Sequence, residues 1–367
     1  MKVTQVTSEI LRIPIRHEGS LGVGKLFEIE NVLVRVETDA GLVGIGESSP
    51  WPVFAENCWS VKAALDHYLA PCLVGENPFD LERLLLKMDR TLADAPFAKA
   101  ALDMALHDLL GKALGQPVYN LLGGLVQERI TMSYSIANQD VEKDVREVEW
   151  LLGKGVRVFK IKTGVVPPAV DRERVRAIRD LVGSDGDIRL DYNQSIQVEQ
   201  AIRILRDLEE FRPTFIEQPT RRWDVDNLAK IARAIDTPIM ADEAVFSPAD
   251  AIRVVRQEAA DLISIKLMKP GGIWRSKKIA TIAEAAGIPC YAGAMWESGV
   301  GIAASLHFMA ATPNVKYGSD FYIPYFLMQR DIVKNPPRFE EGYLYVPHGP
   351  GLGVELDEEA VRSFRVA

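Results

Sequence analysis

The sequence predicts an α/β protein: a TIM-type barrel of the modified (β/α)7β kind, preceded by an N-terminal α+β domain. Three observations carry this. Past Gly123-Gly124, short apolar runs alternate with amphipathic helical stretches. The runs end near Ser135, Lys162, Asp191, Glu217, Asp242, Lys266 and Gly293, 24 to 29 residues apart, the length of one βα unit, and Val315 to Gly318 supplies an eighth run. Polar residues gather at the ends of the runs, where a barrel builds its active site. A doubly wound open sheet is the competing arrangement. The even repeat without a dinucleotide fingerprint argues against it.

The elements follow in order. Val3 to Ile15 has strand character, and Asn31 to Glu47 reads as two strands around a turn at Thr38-Asp39-Ala40-Gly41. Glu56 to Leu73, Phe79 to Leu92 and Phe97 to Leu114 repeat apolar residues at helical spacing, and Gly115 followed by Pro117 ends the last of them. Barrel helices are expected over Asp171–Leu181, Val198–Leu208, Val225–Ile235, Ser247–Glu258 and Arg275–Ala286. The expected division is residues 1–125 for the first domain, 126–330 for the barrel and 331–367 for a C-terminal segment packing back on the first domain.

Composition bounds the function. The chain has 367 residues, 47% hydrophobic and 26% charged, with net charge -8. This is globular composition with no basic footprint for nucleic acid and no apolar run long enough for a membrane span. The N-terminus lacks a signal-peptide core. Cys58, Cys72 and Cys290 read as unpaired thiols, which suits a reducing, cytoplasmic setting.

The run ends concentrate charge. They read Lys160-Ile161-Lys162, Asp191-Tyr192-Asn193, Glu217-Gln218-Pro219, Asp242-Glu243 and Lys266, with Trp296-Glu297-Ser298 just past the seventh. Buried charges are costly unless paired or metal-bound. Asp191, Glu217 and Asp242, on consecutive strands with no histidine or cysteine nearby, suit a hard cation, Mg²⁺ best and Mn²⁺ as a substitute. Each carboxylate alone could instead pair with a lysine or a helix N-terminus. Lys160 and Lys162 share one strand face, the barrel interior. Lys266 faces them across the metal, where a dication and a second ammonium should make a lysine lose its proton more readily and serve as a base. Its alternative is an ion pair with Glu243 or another carboxylate. Lys269 is read as structural.

The segments FKIK, LDYNQ, FIEQP, ADE and ISIKLMKPGG resemble, in order and spacing, the barrel domain of the enolase superfamily, and point to its muconate lactonizing subgroup. The first 125 residues resemble that family's capping domain, and the tail HGPGLGVELDEE is similar as well. The resemblance implies Asp191, Glu217 and Asp242 as metal ligands and Lys162 as the proton-moving lysine. It also implies Lys160, Lys266 and Glu297 in the catalytic set, with Asn193 and Glu243 beside the ligands. It implies that the glycine-rich loop 16–25 folds over the barrel mouth, where Arg16 or Lys25 meets a distal carboxylate, solvent-exposed charge being the alternative for each. A second loop, Ser48 to Glu56, carries Trp51 and Phe54, which suggest an apolar cover that excludes water, with core packing as the alternative. Gly318-Ser319-Asp320 lacks the Asp-x-Asp pair of the dipeptide epimerases. The implied activity is Mg²⁺-dependent cycloisomerisation of cis,cis-muconate or a substituted muconate to a muconolactone through an enediolate. The alternatives are racemisation or epimerisation of an N-modified amino acid and an o-succinylbenzoate synthase-like dehydration. The partner is a small carboxylate, with neither nucleic acid nor membrane, and the resemblance implies a homo-oligomer.

Overall fold

A computed structural model describes residues 1–21 and 24–366 of the chain, without the side chains of residues 17–27. The expected strands of the first domain form an antiparallel sheet, β1 (Val3–Leu21), β2 (Gly24–Thr38) and β3 (Val43–Ser48), in that order. The turn between β2 and β3 places Gly41 at φ 73°, the left-handed region that glycine enters without penalty. On one face lies the helix Pro96–Leu114. It approaches closely because Gly44 and Gly46 meet Ala105 and Ala101: a Cβ on either glycine would fall about 2 Å from the carbonyl oxygen of its alanine. Residues 97–111 of this helix are all buried, because helix Ile273–Ala285 of the barrel packs against another side of it. Asp103 anchors that contact by accepting from the Ile273 N–H at 2.5 Å. The single helix expected over Glu56–Leu73 is three pieces, Cys58–Ala64, a π-turn at Leu65–Leu69, and Ala70–Leu73. Pro71 has no N–H to continue the α-helical ladder.

The eight runs form parallel strands: β5 (Ser133–Ile136), β6 (Val158–Lys162), β7 (Asp187–Asp191), β8 (Ile216–Glu217), β9 (Ile239–Ala241), β10 (Leu262–Ile265), β11 (Cys290–Ala292) and β12 (Val315–Ser319). Their order in the sheet is sequential, with no point at which the winding reverses, so the doubly wound alternative is excluded. A bridge between Met132 and Ser319 brings the first and last strands together and closes the ring. A second, antiparallel sheet, β4 (Arg129–Thr131) with β13 (Phe339–Glu340) and β14 (Tyr343–Tyr345), was not expected. Strands of two or three residues show too little alternation to be read.

Period-two alternation sends one face of each barrel strand inward. Phe215 and Met240, two residues before Glu217 and Asp242, join Leu262 and Tyr291 in a buried cluster that floors the site. Arg189 lies over the rings of Phe215 and Tyr291, 5.0 and 5.2 Å from their centroids, and pairs with Asp187 at 2.8 Å. The residues after β14 return to the first domain. Leu352 N–H donates to Asp108 at 2.8 Å, and Arg365 pairs with Glu9 at 2.5 Å. The three cysteines are free, with Cys72 half-buried. Among the described residues no helix is long and apolar enough to cross a membrane.

Candidate active site

The strand register sets the site. Lys162 of β6 stands beside Asp191 of β7, and Asp191 beside Glu217 of β8. Asp242 follows β9 and Lys266 follows β10. In a closed ring of eight, β6 and β10 are four strands apart, so Lys162 and Lys266 face each other with the three carboxylates on the strands between. Immediately past β7 and β8 the backbone is strained: Asn193, Gln194 and Gln218 take φ of 40°, 70° and 33°. Left-handed non-glycine residues cost free energy and gather at functional sites. Here the strain is held by hydrogen bonds: the Gln218 side chain accepts from the Asp242 and Ala244 N–H groups at 2.9 and 3.0 Å.

Every acid of the trio meets a lysine. Lys162 Nζ lies 2.5 Å from Asp191 Oδ2 and 2.9 Å from Asn193 Oδ1. Lys160 Nζ lies 2.8 Å from Glu217 Oε2 and 3.7 Å from Asp191. Lys266 and Lys269 hold Asp242 at 2.7 and 2.6 Å. As they stand, no three acidic, histidine or cysteine side chains among the described residues converge to cage an ion. The donor set nonetheless fits a hard cation in kind, three carboxylates at the ends of consecutive strands. Glu217 Oε1 is buried without a hydrogen-bond partner among the described residues. Burial, with the negative charges of Asp191 and Asp242 beside it, pushes the Glu217 carboxyl up to about 8. Three crowded carboxylates that repel one another are what a divalent ion relieves. Glu243 likewise rises to about 7, through burial and then Asp242, and its Oε1 accepts from Asn193 Nδ2 at 3.3 Å.

The readier deprotonation expected of Lys266 belongs to a site that holds a dication; the protein groups alone act the other way. Burial lowers its pKa, but Asp242, Glu217 and Glu243 outweigh burial and hold it above the ordinary lysine value. A dication on those carboxylates would reverse that balance. Lys269, read as structural, is a buried partner of Asp242 and also donates to the Ser264 carbonyl at 2.9 Å. Burial, reinforced by Lys266, lowers its pKa against the pull of Asp242.

Lys160, Lys162, Asn193 and Lys266 line a small cavity of about 40 Å³ with Trp51, Phe54, Met295, Trp296, Ser135, Asp320 and Tyr322. That volume holds a few waters. Trp51 and Phe54 bring the first domain to this lining: Trp51 meets Trp296 edge-on, ring centroids 5.8 Å apart. A larger cleft of about 810 Å³ lies outside, lined by Asp89, Arg222, Trp223, Arg253 and Arg275 among others, and by none of Lys160, Lys162 and Lys266.

Two expected residues are placed elsewhere. Arg16 lines a separate groove with Trp150 and Phe339, its Nε bound to the Met328 carbonyl at 2.8 Å. Glu297 does not line the cavity: its Oε2 accepts from Met295 N–H at 2.7 Å, and burial raises it to about 8. The Lys25 side chain lies outside the described residues. Sequence reasoning missed Asp320, just past β12, which binds Lys160 and the Tyr291 hydroxyl within the barrel. The strand-end rule that locates the other acids reaches Asp320 as well, since it directly follows β12.

Residues 4–123 match the description "Mandelate racemase / muconate lactonizing enzyme, N-terminal domain", and residues 143–360 match "Enolase C-terminal domain-like". A chloromuconate cycloisomerase of Cupriavidus pinatubonensis is 37% identical over 339 residues, 91% of each chain. The crystal structure of a muconate lactonizing enzyme from Pseudomonas fluorescens, complexed with muconolactone, superposes with TM-score 0.96 at 31% identity, covering 100% of this chain and 99% of that one. An N-succinyl Arg/Lys racemase from Bacillus cereus superposes equally well, TM-score 0.96 at 34% identity, over 100% and 99% of the two chains.

Proposed function

Because the chain belongs to the mandelate racemase / muconate lactonizing enzyme family of the enolase superfamily, whose members are metal-dependent enzymes acting on carboxylates, we propose that it is a cycloisomerase converting cis,cis-muconate or a substituted muconate to a muconolactone. The observation that carries the chemistry is the pair Lys162 and Lys266, opposed across the barrel with Asp191, Glu217 and Asp242 between them. Those three carboxylates would hold Mg²⁺, or Mn²⁺ in its place. When bound, the cation supplies positive charge beside the substrate carboxylate, where negative charge develops as the neighbouring carbon becomes carbanionic.

In the lactonizing direction one substrate carboxylate oxygen adds to the far double bond. The electron pair moves to the carbon next to the other carboxylate, and Lys162 delivers the proton that this carbon takes up. Asn193 orients Lys162 through its 2.9 Å hydrogen bond. Lys266 balances charge on the opposite face, and the Trp51–Phe54 cover excludes water during the transfer.

A second reading is racemisation of an N-modified amino acid. The opposed lysines favour it as well, since inversion at a carbon needs one base on each face, and the racemase likeness above supports it. The two readings separate in one experiment. Purified protein with MgCl₂ in deuterium oxide is offered muconates and N-acylated amino acids. Loss of diene absorbance with deuterium in the lactone supports the cycloisomerase. Muconate turnover below about 10² M⁻¹s⁻¹ in kcat/KM, against the usual enzyme range of about 10⁴–10⁸, together with α-deuteration of the amino acids, favours the racemase.

A further inference from the structure

We propose that Glu47, on the N-terminal domain, is a positioning residue: it holds the loop 294–298 so that Trp296 forms one wall of the substrate cavity. The proposal rests on the cavity's assignment as the substrate site, and its test has an arm that does not.

Glu47 is fully buried on β3, and both carboxylate oxygens are spent on the barrel. Oε2 accepts from the Ser298 hydroxyl at 2.9 Å and the Gly301 N–H at 2.9 Å. The Ser298 N–H reaches both oxygens at 3.1 Å. Oε1 also accepts from Asn31 Nδ2 at 2.7 Å, and the same Nδ2 donates to the Trp296 carbonyl at 2.9 Å. Ser49 completes the clamp, its hydroxyl accepting from the Trp296 N–H at 2.9 Å. The N-terminal domain thus grips Trp296 at both its backbone groups and Ser298 at its backbone and side chain. Gly301 makes the approach possible: a Cβ there would lie 2.7 Å from Glu297 and 2.9 Å from Glu47 Oε2.

No lysine or arginine pairs with this carboxylate among the described residues. The donors of the loop and of the helix Gly299–Ala310 do so instead. A carboxylate accepts from all of them at once, whereas an amide must turn an N–H₂ against donors. The geometry has a consequence for the cover. Trp51 follows Ser49 by two residues and rests on Trp296. Both walls of the cavity therefore hang from one anchor, which couples the cover of the first domain to the loop after the seventh barrel strand.

The test compares Glu47→Gln with Asp331→Asn. Asp331 accepts from the Gly299 N–H through both oxygens, at the same helix start, and has no hydrogen bond to residues 294–298 among the described residues. Amide hydrogen exchange of the unliganded chain, read by mass spectrometry, should quicken at least tenfold over residues 294–298 in Glu47→Gln and change less than twofold there in Asp331→Asn. This arm decides the proposal whatever the substrate proves to be. On the substrate that the wild type turns over, Glu47→Gln should raise KM at least tenfold and change kcat less than threefold. In a Trp296→Ala background the same change should add less than twofold to KM, because the wall it positions is already gone. Should Glu47→Gln not fold, Ser49→Ala removes the bond to the Trp296 N–H and should quicken exchange at that amide. Equal exchange in Glu47→Gln and Asp331→Asn, or a full effect on KM without Trp296, overturns the proposal.

Discussion

The ammonium of Lys266 sits 4.5 Å from the centroid of the Phe54 ring, so a side chain from the N-terminal domain lies directly on one of the two opposed lysines. A cation over an aromatic face is worth about 0.5–2 kcal/mol. Phe54→Leu keeps the bulk and removes the ring face. The expected result is a fall in kcat/KM of about 2- to 30-fold, the same free energy expressed as a rate. Steady-state kinetics on the turned-over carboxylate measure it. An unchanged value would show that the ring only fills space.

Metal binding should be a single event per chain. Calorimetric titration of chelator-treated protein with MgCl₂, and separately MnCl₂, should give one site. Asp242→Asn should weaken it at least tenfold. The same variant leaves the buried Lys266 and Lys269 without their shared counter-charge, so it should also melt at lower temperature. Unaltered metal affinity would remove Asp242 from the ligand set.

Lys162→Ala should lose about 10²–10⁴ in rate, the usual contribution of a general acid or base, while retaining fold and metal. Circular dichroism and metal titration check the last two. Lys266→Ala discriminates between the readings. In deuterium oxide, a racemase lacking this lysine should still exchange the proton of one enantiomer without inverting it. A cycloisomerase should instead show a uniform loss of turnover.

Stability should depend on pH through Glu297, whose carboxyl rises from 4.5 to about 8, chiefly through burial. A raised acid binds its proton more tightly in the folded chain. Its contribution is complete below the unfolded value near 4.5 and is lost as pH rises through about 8. Glu297→Gln carries no titratable proton, and its amide oxygen can still accept from Met295. Denaturant titrations at pH 5 and 8 should therefore show a smaller decline for Glu297→Gln than for the wild type. Equal declines would place the pH dependence elsewhere.

Much of the site was legible because a barrel converts linear order into geometry. Each βα unit returns the chain to the same end of the ring, so Lys162, Asp191, Glu217, Asp242 and Lys266 could be placed as neighbours from their spacing alone. The place of Trp51 and Phe54 at the cavity was legible for a weaker reason: both stand in the loop Ser48 to Glu56, outside the periodic segments. Arg16 was misplaced because its guanidinium binds the Met328 carbonyl, a partner 312 residues away that no local pattern discloses.

The sequence by itself determined the alternation of strands and helices in the barrel, its eight-strand count and the inward face of each barrel strand, since these follow from period-two alternation and the length of a βα unit. Only the tertiary structure decided which charges meet. Closing the ring set Lys160 against Asp320, and burial assigned Lys269 to Asp242. Docking the N-terminal sheet on the barrel put Glu47 at Ser298, 251 residues along the chain. Buried charges take the partners that distance allows after folding, and separation along the chain carries no record of those distances.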